Sequence, residues 1–183
     1  MEKLYINHKK IRAQVIKEHL GERKAFCFSC GNATRELKIA GVNVIPISPK
    51  DELNATTYIH PNRALKLFEC FNATSGCLPM FLVKEMAREI RIKIPKEIRE
   101  KPWKIYVPTG SGELLLTLMY VFPASVLRPF TTTYPPLNFE KFSPLYDFIT
   151  TNFVVEHWGD LDIKQAFEKV KDESGYFIYT EGI

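Results

Sequence analysis

The chain has 183 residues, 45% of them hydrophobic and 25% charged, with a formal net charge of +4 at pH 7. That length carries one domain, or one domain with a small inserted lobe, and buries a core without disulfide staples. Lys and Arg are interspersed with Asp and Glu, so there is no long basic run of the kind that binds nucleic acid, and the charge argues only faintly for anionic ligands.

The opening "MEKLYINHKK" has no apolar core of signal-peptide length. An uncharged stretch as long as any in the chain, Leu114 to Leu127, is too short to span a bilayer and contains Pro123. A soluble cytoplasmic protein is the expectation, with no membrane partner. The four cysteines are then expected as free thiols. The three Asn-Ala-Thr triplets, at Asn32, Asn54 and Asn72, carry no glycosylation meaning without secretion.

In chain order, Ile11, Val15, Ile16 and Leu20 have helical spacing, and Gly21 ends that helix. "KAFCFS" reads as a buried strand, "CGNATRELKIA" as a helix stopped by Gly41, and "VNVIPIS" as the next strand, with Pro46 near its end. Residues 48–57 read as loop, "PNRALKLFECF" as a helix begun by proline, and "PMFLVKEMAREIRI" as a second helix. "KIYVPTGSGELLLTL" gives a strand, a glycine turn and an apolar helix. Residues 123–144 hold five prolines and read as extended loop. "SPLYDFITTNFV" is helical at its start, "LDIKQAFEKVKDESG" is an amphipathic helix capped by Asp160 or Asp162, and "YFIYT" is a last strand. Strands alternating with helices give an α/β fold, with an open, mostly parallel sheet flanked by helices. One sheet is expected to hold strands near 24–28, 42–47, 104–107 and 176–180. The whole forms a single α/β domain over 1–183, with a small inserted lobe around 48–100.

Two strand–turn–helix corners carry the chemistry. "FSCGNATREL" offers the Ser29 hydroxyl, the Gly31 backbone and the Asn32 amide; "VPTGSGELLL" offers Thr109, Gly110, Ser111 and Gly112. Ligands of open α/β sheets gather beyond the carboxyl ends of strands, and a glycine turn into a helix exposes N–H groups suited to an anion such as phosphate. A tight turn with no ligand is the plainer reading of the second corner.

These blocks together resemble the pyridoxal-phosphate enzymes of fold type II, the group of threonine synthase, serine/threonine dehydratase and cysteine synthase. "FSCGNATRELKIAGVNVIPISP" is similar to the family's S-S/T-G-N-x-x-x-A-L segment, and "KPWKIYVPTGSGELLLTL" to its strand and glycine-rich phosphate loop. "NHKKIRAQVIKEHLGERKAFCFS" sits where the family keeps its K-x-R segment, and "DIKQAFEKVKDESGYFIYTEG" resembles its late helix and the G-I-x-x-E-P strand. Residues 48–100 match only loosely.

The resemblance implies a lyase or transferase acting on a small amino acid by elimination or replacement, with pyridoxal 5'-phosphate as cofactor. It places Lys10 on the Schiff-base lysine, with Lys9 as the alternative if the register slips by one; on their own, both read as solvated charges at a helix start. Asn32 falls beside the cofactor ring oxygen, a role compatible with capping a helix. Ser29, Cys30 and Gly31 fall on the loop that receives the substrate carboxylate, and Thr109, Gly110, Ser111 and Gly112 fall on the phosphate cradle. A homodimer is compatible with this reading, and no metal or nucleic acid is implied. Two departures stand out. Glu113 replaces a small residue, and a carboxylate in the first helical turn competes with phosphate for the same N–H groups. The family also runs well beyond the G-I-x-x-E strand, where this chain ends at Ile183.

Two other classes remain open beside the enzyme. One is a non-catalytic binding or accessory protein that kept the fold and the anion-binding turns. The other is a thiol redox protein built on Cys27-Phe28-Ser29-Cys30, although Cys27 falls inside the strand rather than at the helix start where a reactive thiol gains most. Cys70 and Cys77 are spaced too loosely for a zinc knuckle, and His8, His19, His60 and His157 have no metal-ligand spacing.

Overall fold

The computed structural model describes residues 1–28, 32–47, 69–74, 79–101, 103–132 and 145–180. By contact they divide into two compact units, Met1–His8 with Val83–Ile183, and Lys9–Leu82.

The smaller unit opens with α1 (His8–Leu20), whose Ile11, Val15, Ile16 and Leu20 are buried as their spacing requires. Gly21, at φ +58, ends it. A parallel sheet follows, of β2 (Lys24–Cys27), β3 (Asn43–Pro46) and β4 (Phe71–Asn72) in the order β3-β2-β4. The helix α2 (Asn32–Ile39) joins the first two strands, as a parallel pair requires a crossover. Leu37 is buried, and the turn closes through the Val42 N–H donating to the Leu37 carbonyl at 3.0 Å.

The larger unit is built on a five-stranded sheet in the order β1-β8-β5-β6-β7, parallel at every pairing among the described residues. Its strands are β1 (Glu2–Tyr5), β5 (Ile105–Pro108), β6 (Leu127–Thr131), β7 (Glu156–His157) and β8 (Tyr176–Tyr179). Its helices include α3 (Met80–Lys93), which runs through the boundary at Val83, and the short α4 (Lys96–Glu100). They continue with α5 (Glu113–Leu118), α6 (Tyr146–Asn152) and α7 (Ile163–Val170). α7 starts in a capping box, with Asp162 accepting from the Gln165 N–H at 2.8 Å and the Gln165 side chain accepting from the Asp162 N–H at 2.9 Å. Its Ala166 and Val170 complete a core with Tyr106, Phe130, Phe177 and Tyr179, onto which Trp158 stacks parallel to Phe130 at 4.0 Å.

The α/β class and the parallel flanked sheet are as expected, but the strands do not share one sheet. Those at 24–27 and 43–46 belong to the three-stranded sheet, and those at 105–108 and 176–179 to the five-stranded one. The partners that decide this are strands the sequence conceals. β1 occupies the free side of β8, and β4 the free side of β2. Phe71 is accordingly in a strand, not at the end of a helix; the rest of the helix expected over 61–71 falls mostly on residues outside those described. β6 occupies part of the proline-rich stretch expected as loop.

Candidate functional site

The glycine turn leaves the carboxyl end of β5, the central strand of the larger sheet, and enters α5. β5 is apolar and flanked by β8 and β6, and Ile105, Tyr106 and Val107 are all buried. α5 is buried over all six of its residues, Glu113 included.

Thr109 commits both of its donors to the fold. The Thr109 N–H donates to the Phe130 carbonyl at 2.8 Å, and the Thr109 hydroxyl donates to the Val107 carbonyl at 3.0 Å. Thr109 is buried, Gly110 exposed and Ser111 half-buried. The Glu113 N–H lies 3.4 Å from the Ser111 hydroxyl oxygen, a long hydrogen bond that tightens the corner. The Thr117 hydroxyl donates to the Glu113 carbonyl at 2.8 Å, inside the first turns of α5.

Gly112 is required here for two reasons. Its φ of +88 is the left-handed region that other L-residues avoid. A Cβ on it would also lie 2.1 Å from Cδ1 of Ile149, a fully buried residue of α6. The space that glycine leaves is thus filled by an isoleucine, not held open for a ligand. Glu113, the next residue, is 1% exposed.

The other corner is described only in part. Ser29, Cys30 and Gly31 lie outside the described residues. Asn32 is the exposed first residue of α2. Lys10 is exposed on α1, and Lys9 is half-buried. In the Lys9–Lys10–Ile11–Arg12 run the fully buried cation is Arg12, at 0% exposure. Lys10 and Asn32 belong to the smaller unit, and Thr109 to Gly112 to the larger.

Cys27 is a free thiol at 0% exposure in β2, a small apolar residue of the core by position. Cys70 is free and half-buried, and Cys77 lies outside the described residues. The His19 ring packs edge-on against Phe71, at 5.8 Å between ring centres. Among the described residues no group of three His, Cys, Asp or Glu side chains could hold a metal ion, and no helix is long and apolar enough to cross a membrane.

Two polar arrangements escape sequence reasoning. At the carboxyl edge of the larger sheet, the buried Thr131 hydroxyl and Nδ1 of the exposed His157 are 2.7 Å apart. Trp158 packs against the core, while its neighbour His157 is exposed. Only the pairing of β6 with β7 brings Thr131 and His157 into register. At the opposite, amino end of β5, Lys104 bonds to the Glu173 carboxylate, and the Tyr106 hydroxyl donates to the same oxygen at 2.9 Å. The hydrogen bond to Lys104 holds the Glu173 carboxyl below its usual range, and the same bond raises Lys104. Burial, then the bond to Glu173, pushes the Tyr106 phenol up. This cluster ties β5 to the turn before β8 and lies away from the strand ends where α/β sheets bind ligands.

A scan against models of known families gave no match to this chain, nor did searches of curated proteins and of solved structures.

Pyridoxal phosphate needs an anion cradle and a lysine that can be desolvated. In the described residues Thr109 has spent its N–H and hydroxyl on the fold, and the open face of Gly112 is filled by Ile149. Glu113 brings a carboxylate inside the protein at the first residue of α5, and Lys10 is on the exposed side of α1. The described residues do not fit the cofactor.

Proposed function

We propose that the chain is a non-catalytic binding or accessory protein on an α/β scaffold related to the fold type II pyridoxal-phosphate enzymes, with a glycine turn that serves the fold and not a cofactor. The observation that carries this reading is the buried Glu113 beside a Gly112 whose open side is packed by Ile149. A carboxylate in the first turn of a helix is favoured by the partial positive charge there. A phosphate would compete with that carboxylate for the same N–H groups.

The reading that keeps the chemistry is a lyase or transferase acting on a small amino acid through Lys10. It draws support from the two corners, since α2 and α5 each follow the carboxyl end of a parallel strand. Titration with pyridoxal phosphate, followed by visible absorbance, separates the two. The spectrum of wild type at saturating cofactor is expected to be the sum of protein and free cofactor, and Lys10→Ala is expected to match it. Glu113→Gly, which removes the competing carboxylate, is the variant in which binding would first emerge. A new visible band in wild type that disappears in Lys10→Ala would overturn the accessory reading and put the enzyme first.

A further inference from the structure

Among the described residues the two sheets end in four edge strands, β1 and β7 in the larger, β3 and β4 in the smaller. An edge strand offers unpaired N–H and C=O groups to another chain unless it is short or blunted by proline. β4 and β7 have two residues each. In β3 the Ile47 N–H donates to the Cys27 carbonyl at 2.9 Å, so alternation turns the backbone of Val44 and Pro46 away from β2. Pro46 has no donor to place on that edge. β1 has four residues and no proline.

The backbone of β1 can be accounted for group by group. The Glu2 N–H donates to the Gly175 carbonyl and the Ile6 N–H to the Tyr179 carbonyl, both at 3.0 Å. In a parallel ladder alternate residues turn both of their groups to the same neighbour. Glu2, Leu4 and Ile6 therefore face β8, and Lys3 and Tyr5 face outward. Among the described residues nothing bonds to the N–H or carbonyl of Lys3 or Tyr5. The Lys3 side chain is drawn over its own sheet, with Nζ 4.6 Å from the Phe167 ring centre and 4.7 Å from that of Tyr179. Tyr5 rests on Tyr179 at 5.4 Å between ring centres and stays 48% exposed.

We propose that β1 is a dimer edge, pairing antiparallel with β1 of a second copy of this chain so that the two larger sheets become continuous. The occupant follows from self-complementarity. In an antiparallel pair, the residues that face the partner exchange both bonds with each other. Setting Lys3 against Tyr5 of the second copy, and Tyr5 against its Lys3, satisfies the outward groups of both residues on both strands. The twofold axis then passes at Leu4. A shift one way sets Lys3 against Lys3, where like charges oppose. A shift the other way sets Tyr5 against Tyr5 and carries Lys3 beyond the end of the paired strand. The register between them places a cation opposite an aromatic ring at each end. Two four-residue strands make a small contact, of the size found in weak, reversible complexes. This surface is separate from the glycine turn, so the proposal goes beyond the accessory reading and does not depend on it.

Sedimentation velocity on the full chain over a range of concentrations tests the dimer. Wild type is expected to pass from monomer to dimer below about 1 mM. Tyr5→Lys opposes two cations at each end and should weaken the dimer about tenfold. Adding Lys3→Glu turns both contacts into opposite-charge pairs and should recover most of that loss, which a change in the stability of the protomer alone would not do. Cysteine substitution reads the register. Leu4 meets Leu4 across the axis in a non-hydrogen-bonded pair, with Cα atoms about 4.5 Å apart, within reach of a disulfide. With oxidised glutathione, Leu4→Cys is expected to give a cross-linked dimer well above the wild-type background, and Lys3→Cys is not. A wild-type chain that stays monomeric to about 1 mM overturns the proposal, as does a dimer that Tyr5→Lys leaves unchanged. Cross-linking as ready through Lys3→Cys as through Leu4→Cys would overturn the register. Should Tyr5→Lys fail to fold, the wild-type sedimentation and the two cysteine variants still decide the question.

Discussion

The two strand–turn–helix corners look alike in sequence and are built differently. β5 lies in the middle of its sheet with Ile105, Tyr106 and Val107 all buried, and it feeds a helix buried over all six residues. β2 alternates between exposed Lys24, buried Ala25, half-buried Phe26 and buried Cys27, and it feeds a helix that buries three of its eight residues. A strand covered on both faces reads as a continuous apolar run, whereas one covered on a single face alternates. The consequence for function is direct. Whatever stands at the head of α5 is inside the protein, so Glu113 is internal. Asn32, at the head of α2, meets solvent. The glycine turn that resembles a phosphate loop thus has a buried carboxylate at the head of its helix.

If the larger unit is closed by tight backbone approaches, Gly175 should be its most sensitive position. Its φ is +131, and an added Cβ would lie 2.3 Å from the Lys104 carbonyl oxygen, a backbone atom that cannot swing aside. The same carbonyl accepts from the Tyr176 N–H at 2.8 Å, and the Gly175 carbonyl accepts from the Glu2 N–H at 3.0 Å. One glycine thus sits where β1, β5 and β8 converge. Gly175→Ala should lower stability by about 3 kcal/mol or more in urea unfolding, since both strain and steric overlap act on it. A loss under about 1 kcal/mol would show that these strands give way, and that the contrast with the smaller unit is overdrawn.

Cys27 tests the smaller unit. Cys27→Ser exchanges a small apolar group for a hydroxyl at a site with no exposure, which is expected to cost about 1–3 kcal/mol. Cys27→Ala should cost less, because it removes volume without introducing polarity. Equal losses in the two variants would mean that the hydroxyl finds a partner and that this sheet is more accommodating than its burial suggests. Oxidation of Cys27 in the folded protein, measured by thiol titration, would instead bring the redox class forward.

The helices were the most legible part of the chain, because apolar spacing and caps are local. Asp162 followed three residues later by Gln165 marks the start of α7 without any tertiary information. The strands that fix the sheet order were not legible. β1 carries Glu2 and Lys3 on an edge, and β4 and β7 have two residues each. β6 contains Pro129, which argues against a strand with neighbours on both sides. Among the described pairings, β7 meets β6 only at Phe130 and Thr131. At Pro129 one side of β6 is therefore an edge, where a missing N–H costs no ladder bond. The candidate site was legible as residue types but not as environments. Neither the packing of Ile149 into Gly112 nor the burial of Glu113 can be seen without knowing where α6 goes.

The smallest effect belongs to the cluster at the amino end of β5. Lys104 and Glu173 keep 33% and 40% of their side chains exposed, so water and salt screen the pair, and it should contribute only about 0.5–1 kcal/mol. The sign of its pH dependence follows from the shifts. Glu173 titrates lower in the folded chain, so its contribution is present above the ordinary carboxylate range near about 4 and is lost as pH falls through the folded value. Lys104 and Tyr106 titrate higher in the folded chain, so their contributions are present below about 10 and are lost as pH rises through their folded values. Glu173→Gln retains an acceptor for the Tyr106 hydroxyl while removing the charge. The stability gap between wild type and this variant should therefore be about 0.5 kcal/mol at neutral pH and close as the solution is acidified below about pH 4. Added salt should shrink it as well. Tyr106→Phe removes the donor instead and should cost about 1 kcal/mol, with much less dependence on salt. A gap in Glu173→Gln that persists in strong acid would show that the carboxylate contributes through packing, leaving the backbone approach at Gly175 as what holds β5 to β8.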